Sequence, residues 1–507
     1  MKRFLFSVLT IFLLIFSSCT KPSPTSEGIL SIALNGSPTN IDPRYATDAY
    51  SHQVIELCYN GLLKKDADGR PVPDLAADVT LASKVRYEVR LKEGVFFHDG
   101  SELTSDDVIY TLSFLKDPNM GSPYLETFSN IDKMEKAGKY GLTIFLKEPF
   151  APFFTALTVP IVKSGTDKGA LKNTENGTGP FTMISYSPDE SGEFVPFGSY
   201  FEGPARVKMI RIKIIPDDNV RFLELKKGEI NFVINGVDPD LLEEVRKDER
   251  LTIDEATGSN FSYLGFNLHD PILKNRKVRE AIAHGINKKE IIDNILLGQA
   301  EEDNTLISPL YWAHEKNVRT YEYDPERSKK LLDEAGYKEP AGGDEPRFTL
   351  TYKTSQNELR RRIAQVLQGQ LRKIGIQVRI QSFEWGTFFS DIKSGNFQMY
   401  SLTWVGITDP DIYYYAFHSN STPPRGANRN RYANPSLDGL LEEGRVETDL
   451  EKRKIIYGKI QRIISEDIPV LGLWFNKNIL VRDKRVQGFV LRPDESFRPL
   501  KDAWIKS

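Results

Sequence analysis

Apolar and polar positions along this chain switch repeatedly between two periods. Val85, Tyr87, Val89 and Leu91 alternate with polar residues, the pattern of a strand buried on one face. Helical spacing governs residues 359–374, where Ile363, Val366, Leu367, Leu371 and Ile374 share one side. Gly375 ends that helix, and Ile376, Val378 and Ile380 alternate again. Residues 452–465 repeat the helical pattern, and residues 470–475 read as a buried strand. Helix ends are marked as well. Lys226 and Lys227 precede Gly228 at the close of a helix over 218–227. Asn287 and Glu290 form a capping-box pattern that opens a helix over 288–297. Asp324-Pro325 opens another, which Gly336 closes. Strands and helices interleave throughout, which predicts an α/β architecture.

The stretch 60–110 is dense in such signals. Asp68-Gly69 and Asp99-Gly100 are turns, and Pro71 and Pro73 hold the chain extended between strands. Thr104 reads as a helix N-cap, with Asp106 and Asp107 in the first turn where the helix dipole favours negative charge. These residues predict structure and no chemistry.

The 507 residues exceed one ordinary core, so two or three domains are expected. Apolar residues make up 40% and charged residues 27%, which excludes a disordered chain or a multispan membrane protein. A net charge of -3 offers no attraction to nucleic acid. At the N-terminus, Lys2 and Arg3 precede an apolar run over 4–16, too short for a permanent span. Small residues then end in Cys19. The arrangement resembles a bacterial lipobox, which implies a signal peptide over 1–18 and lipid attachment at Cys19; an ordinary secretory signal is the alternative. Residues 19–28 read as a flexible tether. Cys58 is then the one cysteine left, so no internal disulfide is possible. It lies on an apolar helical face with Val54, Leu57 and Leu62, as a buried structural thiol does.

The six histidines form no HExxH or Cys/His array, which argues against a zinc site. Asp66-Ala67-Asp68-Gly69 lacks the later ligands of a calcium loop and reads as a turn. No G-x-S-x-G elbow and no phosphate-binding GxxxxGK[ST] occurs. No catalytic residue, metal ligand or cofactor is expected.

The block 60–110 nevertheless resembles the extracytoplasmic peptide-binding proteins of ABC importers, family 5 of the solute-binding proteins. So do GSPTNIDP (36–43), GTGPFTMISY (177–186), IRIKIIPDDNVRFLELKKGEIN (210–231), LGFNLHDPILKNRKVREAIAHGINKKEII (264–292), YDPERSKKLLDEAGY (323–337) and IGIQVRIQSFEWGTFFSDIKSGNFQMYSLTWVG (374–406). The resemblance implies a periplasmic-binding-protein fold, type II-like and of cluster C, with two hinged lobes and an inserted domain. Domain I would comprise 29–48, 165–262 and 480–507. Domain II would be the insertion 49–164, and domain III would be 263–479. The implied function is non-enzymatic: a lipid-anchored monomer captures oligopeptides outside a bacterial membrane and delivers them to an ABC permease and its ATPase.

The resemblance also nominates ligand-binding residues. Family members hold the ligand's amino group with an Asp three residues after a Trp. Here that Trp is Trp404 and the expected place holds Ile407, so Asp409 is the candidate to take the role, alternatively capping the turn before Pro410. Trp385 and Tyr124 match aromatics that line side-chain pockets. Gly406, Thr39, Phe261 and Tyr263 are further candidates, and Arg360 is nominated for the ligand's carboxyl end. The missing acid leaves other ligands open on the same fold: glutathione-like peptides, haem or a metal chelate. An extracytoplasmic hydrolase and a surface sensor or adhesin are alternatives of different classes.

Overall fold

The alternating run after Val85 forms the strand Arg86–Leu91, with its odd-numbered side chains Tyr87, Val89 and Leu91 buried and the even-numbered ones exposed. Thr104 caps the helix Ser105–Lys116, and its capping box is completed by the Asp107 carboxylate, which accepts from the Thr104 backbone N–H at 2.8 Å. We analysed a computed structural model, which describes residues 28–169, 176–342, 345–407 and 409–506. The signal segment, Cys19 and all of the tether but Gly28 lie outside the described residues.

An eleven-stranded sheet runs through two lobes. In the smaller lobe, Ile29–Leu34 pairs in parallel with Met209–Ile214 and Phe232–Ile234. In the larger lobe, Phe348–Ser355 pairs in parallel with Ile376–Phe383 and Met399–Trp404. Two long antiparallel strands, Leu251–Phe266 and Val470–Asp483, join the halves. Their register shifts between Thr257 and Phe261, a bulge that bends the ladder where one lobe meets the other. The strand expected over 470–475 is therefore longer than its apolar run. Asn476, Lys477 and Asn478 interrupt the pattern because the strand crosses the hinge there. Asn478 bonds the carbonyls of Arg492 and Pro493 at 2.9 and 3.0 Å.

A separate four-stranded sheet, Ala76–Ser83, Arg86–Leu91, Gly141–Leu146 and Ile131–Lys136, carries its own core of Leu62, Phe97, Leu112, Ile144 and Phe153. This core begins at Leu62 and ends at Ile161. The helix Ala49–Cys58 lies inside the expected insertion 49–164, yet its apolar face packs with Leu30, Ile32 and Phe181 of the smaller lobe. Cys58 is fully buried in that packing. His98 reaches beyond its own turn: its ring lies 3.1 Å from the Gly179 carbonyl and so ties the small sheet to the smaller lobe.

Most marked helices fall where expected. Gly228 and Gly375 take the left-handed conformation, with φ 78° and 85°, as helix-terminating glycines do. The helix after Asn287 stops at Asn294, short of 297, because Leu297 and Gly298 turn left-handed into the strand Ala300–Glu302. The Asp66–Arg70 turn is held by the Asp66 carboxylate, which accepts from Asp68 N–H and Arg70 N–H at 2.9 and 2.8 Å. Gly69 in that turn has φ 73° and faces the Tyr311 ring of the larger lobe with no room for a Cβ. Gly69→Ala should cost about 1–3 kcal/mol, read as a lower denaturation midpoint; an unchanged midpoint would contradict this packing.

Candidate ligand-binding site

A cavity of about 900 Å³ lies where the two lobes and the four-stranded unit meet, in the upper part of the range usual for small-ligand sites. The larger lobe supplies Trp404, Val405, Gly406, Ile407, Asp409 and Asp411 together with Tyr414, Tyr415 and Arg445. His52 and Glu56, one turn apart on the helix Ala49–Cys58, face it from the smaller lobe. The hinge bulge contributes Ser259 and Asn260, and the C-terminal segment contributes Arg492, Asp494, Glu495 and Arg498. Tyr124, Phe150 and Thr155 come from the four-stranded unit.

Trp404 ends its strand against a rigid backing. It pairs in register with Phe261, stacks on Tyr263 at 6.3 Å between centroids, and has the Arg429 guanidinium 4.8 Å from its ring centre. Tyr415 stands edge-on to it at 6.3 Å. Gly406 then turns the chain with φ 69°, a conformation that favours glycine. Ile407, in the place of the expected acid, is buried among Tyr413, Leu402 and other core residues. It offers no charge to a ligand.

Asp409 does line the cavity, but its carboxylate is already engaged. Arg453 Nη2 donates to Oδ1 at 2.6 Å and Nη1 to Oδ2 at 2.9 Å, while Thr155 Oγ1 donates at 2.9 Å. Burial pushes the carboxyl upward, but the Arg453 charge and hydrogen bonds outweigh it and hold the pKa below its usual value. Asp411 is the contrasting neighbour. Burial raises its carboxyl to about 6, against the opposing charge of Arg445, whose Nε lies 3.1 Å from Oδ1. The Asp409 charge adds to the rise.

Arg445 also joins two units. Its guanidinium covers the Tyr414 ring at 3.9 Å and the Phe150 ring at 5.1 Å, and its carbonyl accepts from Ala151 N–H at 2.7 Å. With the Thr155–Asp409 bond, this fastens the four-stranded unit to the larger lobe beside the cavity. Across the cavity, Glu56 accepts from Ser496 Oγ and Phe497 N–H at 2.8 and 2.9 Å, and Arg498 binds Asp74 at 2.9 Å. Burial raises the Glu56 carboxyl against the pull of Arg498. Glu495 accepts from Asn260 Nδ2 at 3.0 Å. The wall is thus rich in charge, and most of that charge is spent within the protein.

Of the residues nominated from sequence, Trp404, Gly406, Asp409 and Tyr124 line the cavity. The Tyr124 hydroxyl donates to the Ala46 carbonyl, and burial raises it to about 12. Phe261 and Tyr263 are buried behind Trp404. Thr39 donates to Asp48, which itself lines the cavity. Trp385 and Arg360 stand apart from the lining. Trp385 is half exposed, stacks on Phe389 at 5.5 Å, and carries the Arg360 guanidinium at 5.3 Å from its centre.

Residues 70–424 match the family described as bacterial extracellular solute-binding proteins, family 5. The chain belongs to that family. Similar proteins extend the likeness over nearly the whole chain. An oligopeptide-binding protein, AppA, of Bacillus subtilis is 28% identical over 505 residues, covering 95% of this chain and 92% of the relative. The structure of NikZ from Campylobacter jejuni with Ni(L-His) aligns with a TM-score of 0.81 at 26% identity, covering 95% of this chain and all of that one. The ABC transporter-associated periplasmic binding protein DppA of Helicobacter pylori, in complex with the peptide STSA, aligns with a TM-score of 0.78 at 25% identity, covering 95% and 98%.

A family 5 solute-binding protein is a binder rather than an enzyme, and an extracytoplasmic one. Among the described residues no helix is long and apolar enough to cross a membrane, and no group of three or more His, Cys, Asp or Glu could hold a metal ion. Sequence reading missed Asp411, Arg445 and the two cavity faces formed by His52, Glu56 and the 492–498 segment. Asp411 sits in the Asp-Pro-Asp run beside a residue already singled out. The others carry no local signal, because the fold alone brings them together.

Proposed function

We propose that this protein is the substrate-binding component of an ABC importer that captures oligopeptides. It would be held by lipid at Cys19 on the outer side of a bacterial membrane, and would hand its ligand to a membrane permease driven by an ATPase. The observation that carries this reading is the interlobe cavity. It has an aromatic floor at Trp404, polar walls from both lobes, and a hinge bulge on its border. Ligand contacts made only when both lobes approach would shift the population toward the closed form. Relatives named for oligopeptides and a relative seen with a bound peptide support the peptide assignment. A three-domain division is supported by the separate core of the four-stranded unit, with the helix Ala49–Cys58 packing on the smaller lobe. Trp404, Gly406, Asp409 and Tyr124 border the ligand in this reading. Phe261, Tyr263 and Thr39 support that border, with Trp385 and Arg360 on the larger lobe beyond it.

Because Asp409 is held by Arg453, the free amine of a peptide is not its main handle. Calorimetry with a peptide library, haem and a nickel–histidine chelate tests the reading. Peptides should bind one to one, and N-acetylation should weaken them less than about tenfold, below the full worth of a charged hydrogen bond. Binding of haem or the chelate, with no peptide of any length bound, would overturn the assignment.

A further inference from the structure

We propose that Lys65 and His52 form a subsite for a carboxylate of the ligand, in the cavity that Trp404 also lines. This rests on the peptide reading above and adds the place where an acidic group is received. Lys65 ends the short strand Leu63–Lys65, and His52 projects from the helix Ala49–Cys58; both line the cavity. The other cations on this side are engaged. Lys64 pairs with Glu202 at 2.6 Å, and Arg498 with Asp74 at 2.9 Å. Arg492 donates to the Lys65 carbonyl at 2.9 Å. The Lys65 ammonium has no carboxylate within 4.0 Å and no hydrogen bond among the described residues, and the His52 ring has no hydrogen-bond partner there.

An ammonium carries three donors, and removing it from bulk water without a partner is costly. Burial accordingly pulls the Lys65 pKa down, with Asp494 and then Glu56 opposing from beyond contact and Arg498 adding to the fall. The surrounding protein lowers His52 as well, and the Lys65 charge lowers it further, although the His52 side chain itself remains exposed. Neither nearby acid lies within 4.0 Å of the ammonium. Glu56 is held by Ser496, Phe497 and Arg498, and Asp494 accepts from Ser496 N–H at 3.3 Å. A carboxylate entering from the cavity would supply the missing acceptor, and the neutral imidazole of His52 would donate to its second oxygen. The carboxylate could be a peptide's C-terminus or an acidic side chain. Arg425 and Arg492 also line the cavity without an ion pair among the described residues; Arg425 is exposed on the larger lobe, and Arg492 is bonded to the Lys65 carbonyl.

The test compares the full chain with its Lys65→Met and Lys65→Arg variants, using calorimetry with Ala-Ala-Ala, its C-terminal amide, and the C-terminal amide of Ala-Glu-Ala. The wild type should prefer a carboxylate-bearing peptide over Ala-Ala-Ala amide by about tenfold or more. Preference for Ala-Ala-Ala marks the α-carboxylate as the bound group; preference for Ala-Glu-Ala amide marks the side chain. Lys65→Met should abolish that preference by weakening the carboxylate peptide alone, and Lys65→Arg should retain most of it. Equal losses for acid and amide in Lys65→Met, or a preference lost in Arg425→Met and kept in Lys65→Met, would overturn the subsite. Equal wild-type binding of acids and amide would overturn it while leaving the peptide reading intact. Failure of every peptide to bind the wild type would instead overturn the reading on which it rests.

Discussion

Replacing Arg453 by methionine should lower the unfolding free energy of the larger lobe by about 3–5 kcal/mol. The pair it breaks is nearly dry: the Arg453 side chain is 6% exposed and that of Asp409 is 12% exposed. Removing the guanidinium would leave the Asp409 carboxylate buried with, among the described residues, only Thr155 and a backbone N–H of Asp411 as donors. The Gly444 carbonyl would also lose its 3.0 Å bond from Arg453 Nε. The double variant Arg453→Met, Asp409→Leu should recover a large part of the loss, because the cost lies in the abandoned charge more than in the missing attraction. Denaturant unfolding of both singles and the double measures this directly. A single-variant loss below about 1 kcal/mol would mean that the pair is exchanging with water as a surface bridge does.

The acid limb of the stability profile should carry the same signature. Asp409 has its folded pKa depressed, so its contribution is complete above the ordinary aspartate value of about 3.9 and is lost as pH falls through the lower folded value. Asp411 has the opposite sign. Its carboxyl is raised to about 6, so the folded state gains as pH falls through about 6 and loses that gain as pH rises through it.

The second large effect concerns the ligand. Trp404→Ala should weaken peptide binding by about 2 kcal/mol, or about thirtyfold. Trp404 presents a broad apolar face to the cavity from a backing of Tyr263 and Arg429 that leaves it little freedom to move. Such preorganised aromatic surface loses little entropy on binding. Trp404→Phe should keep most of the affinity, and far-ultraviolet circular dichroism should show both variants folded at the temperature of the titration. A loss under threefold for the alanine variant would place the ligand away from this wall.

Much of the fold was written locally. Thr104, Gly228 and Gly375 end their helices because capping depends on a few adjacent residues. The strand Arg86–Leu91 follows from alternation alone. Where the pattern misled, a long-range demand had overridden it. Asn476 and Asn478 are polar within a strand because that strand crosses the hinge. The site was less legible for a related reason. Asp409 meets Arg453 across 44 residues of sequence, and Thr155 meets Asp409 across 254. Periodicity tells which face of an element is buried and says nothing of which partner waits there. Trp404 and Asp409 were found through resemblance to a family pattern, yet the same resemblance nominated Trp385 and Arg360, which stand outside the cavity lining. Lys65 and His52 had no motif to announce them; what marks them is the absence of a partner, visible only in three dimensions.

The central claim is that the interlobe cavity carries peptide. Its most direct test is mass spectrometry of the ligand released on denaturing protein purified from cells without refolding. The account predicts a mixture of short peptides present near one equivalent per chain and strongly depleted from the Trp404→Ala variant. Haem, a metal chelate or another non-peptide solute at one equivalent, with peptides absent, would contradict it.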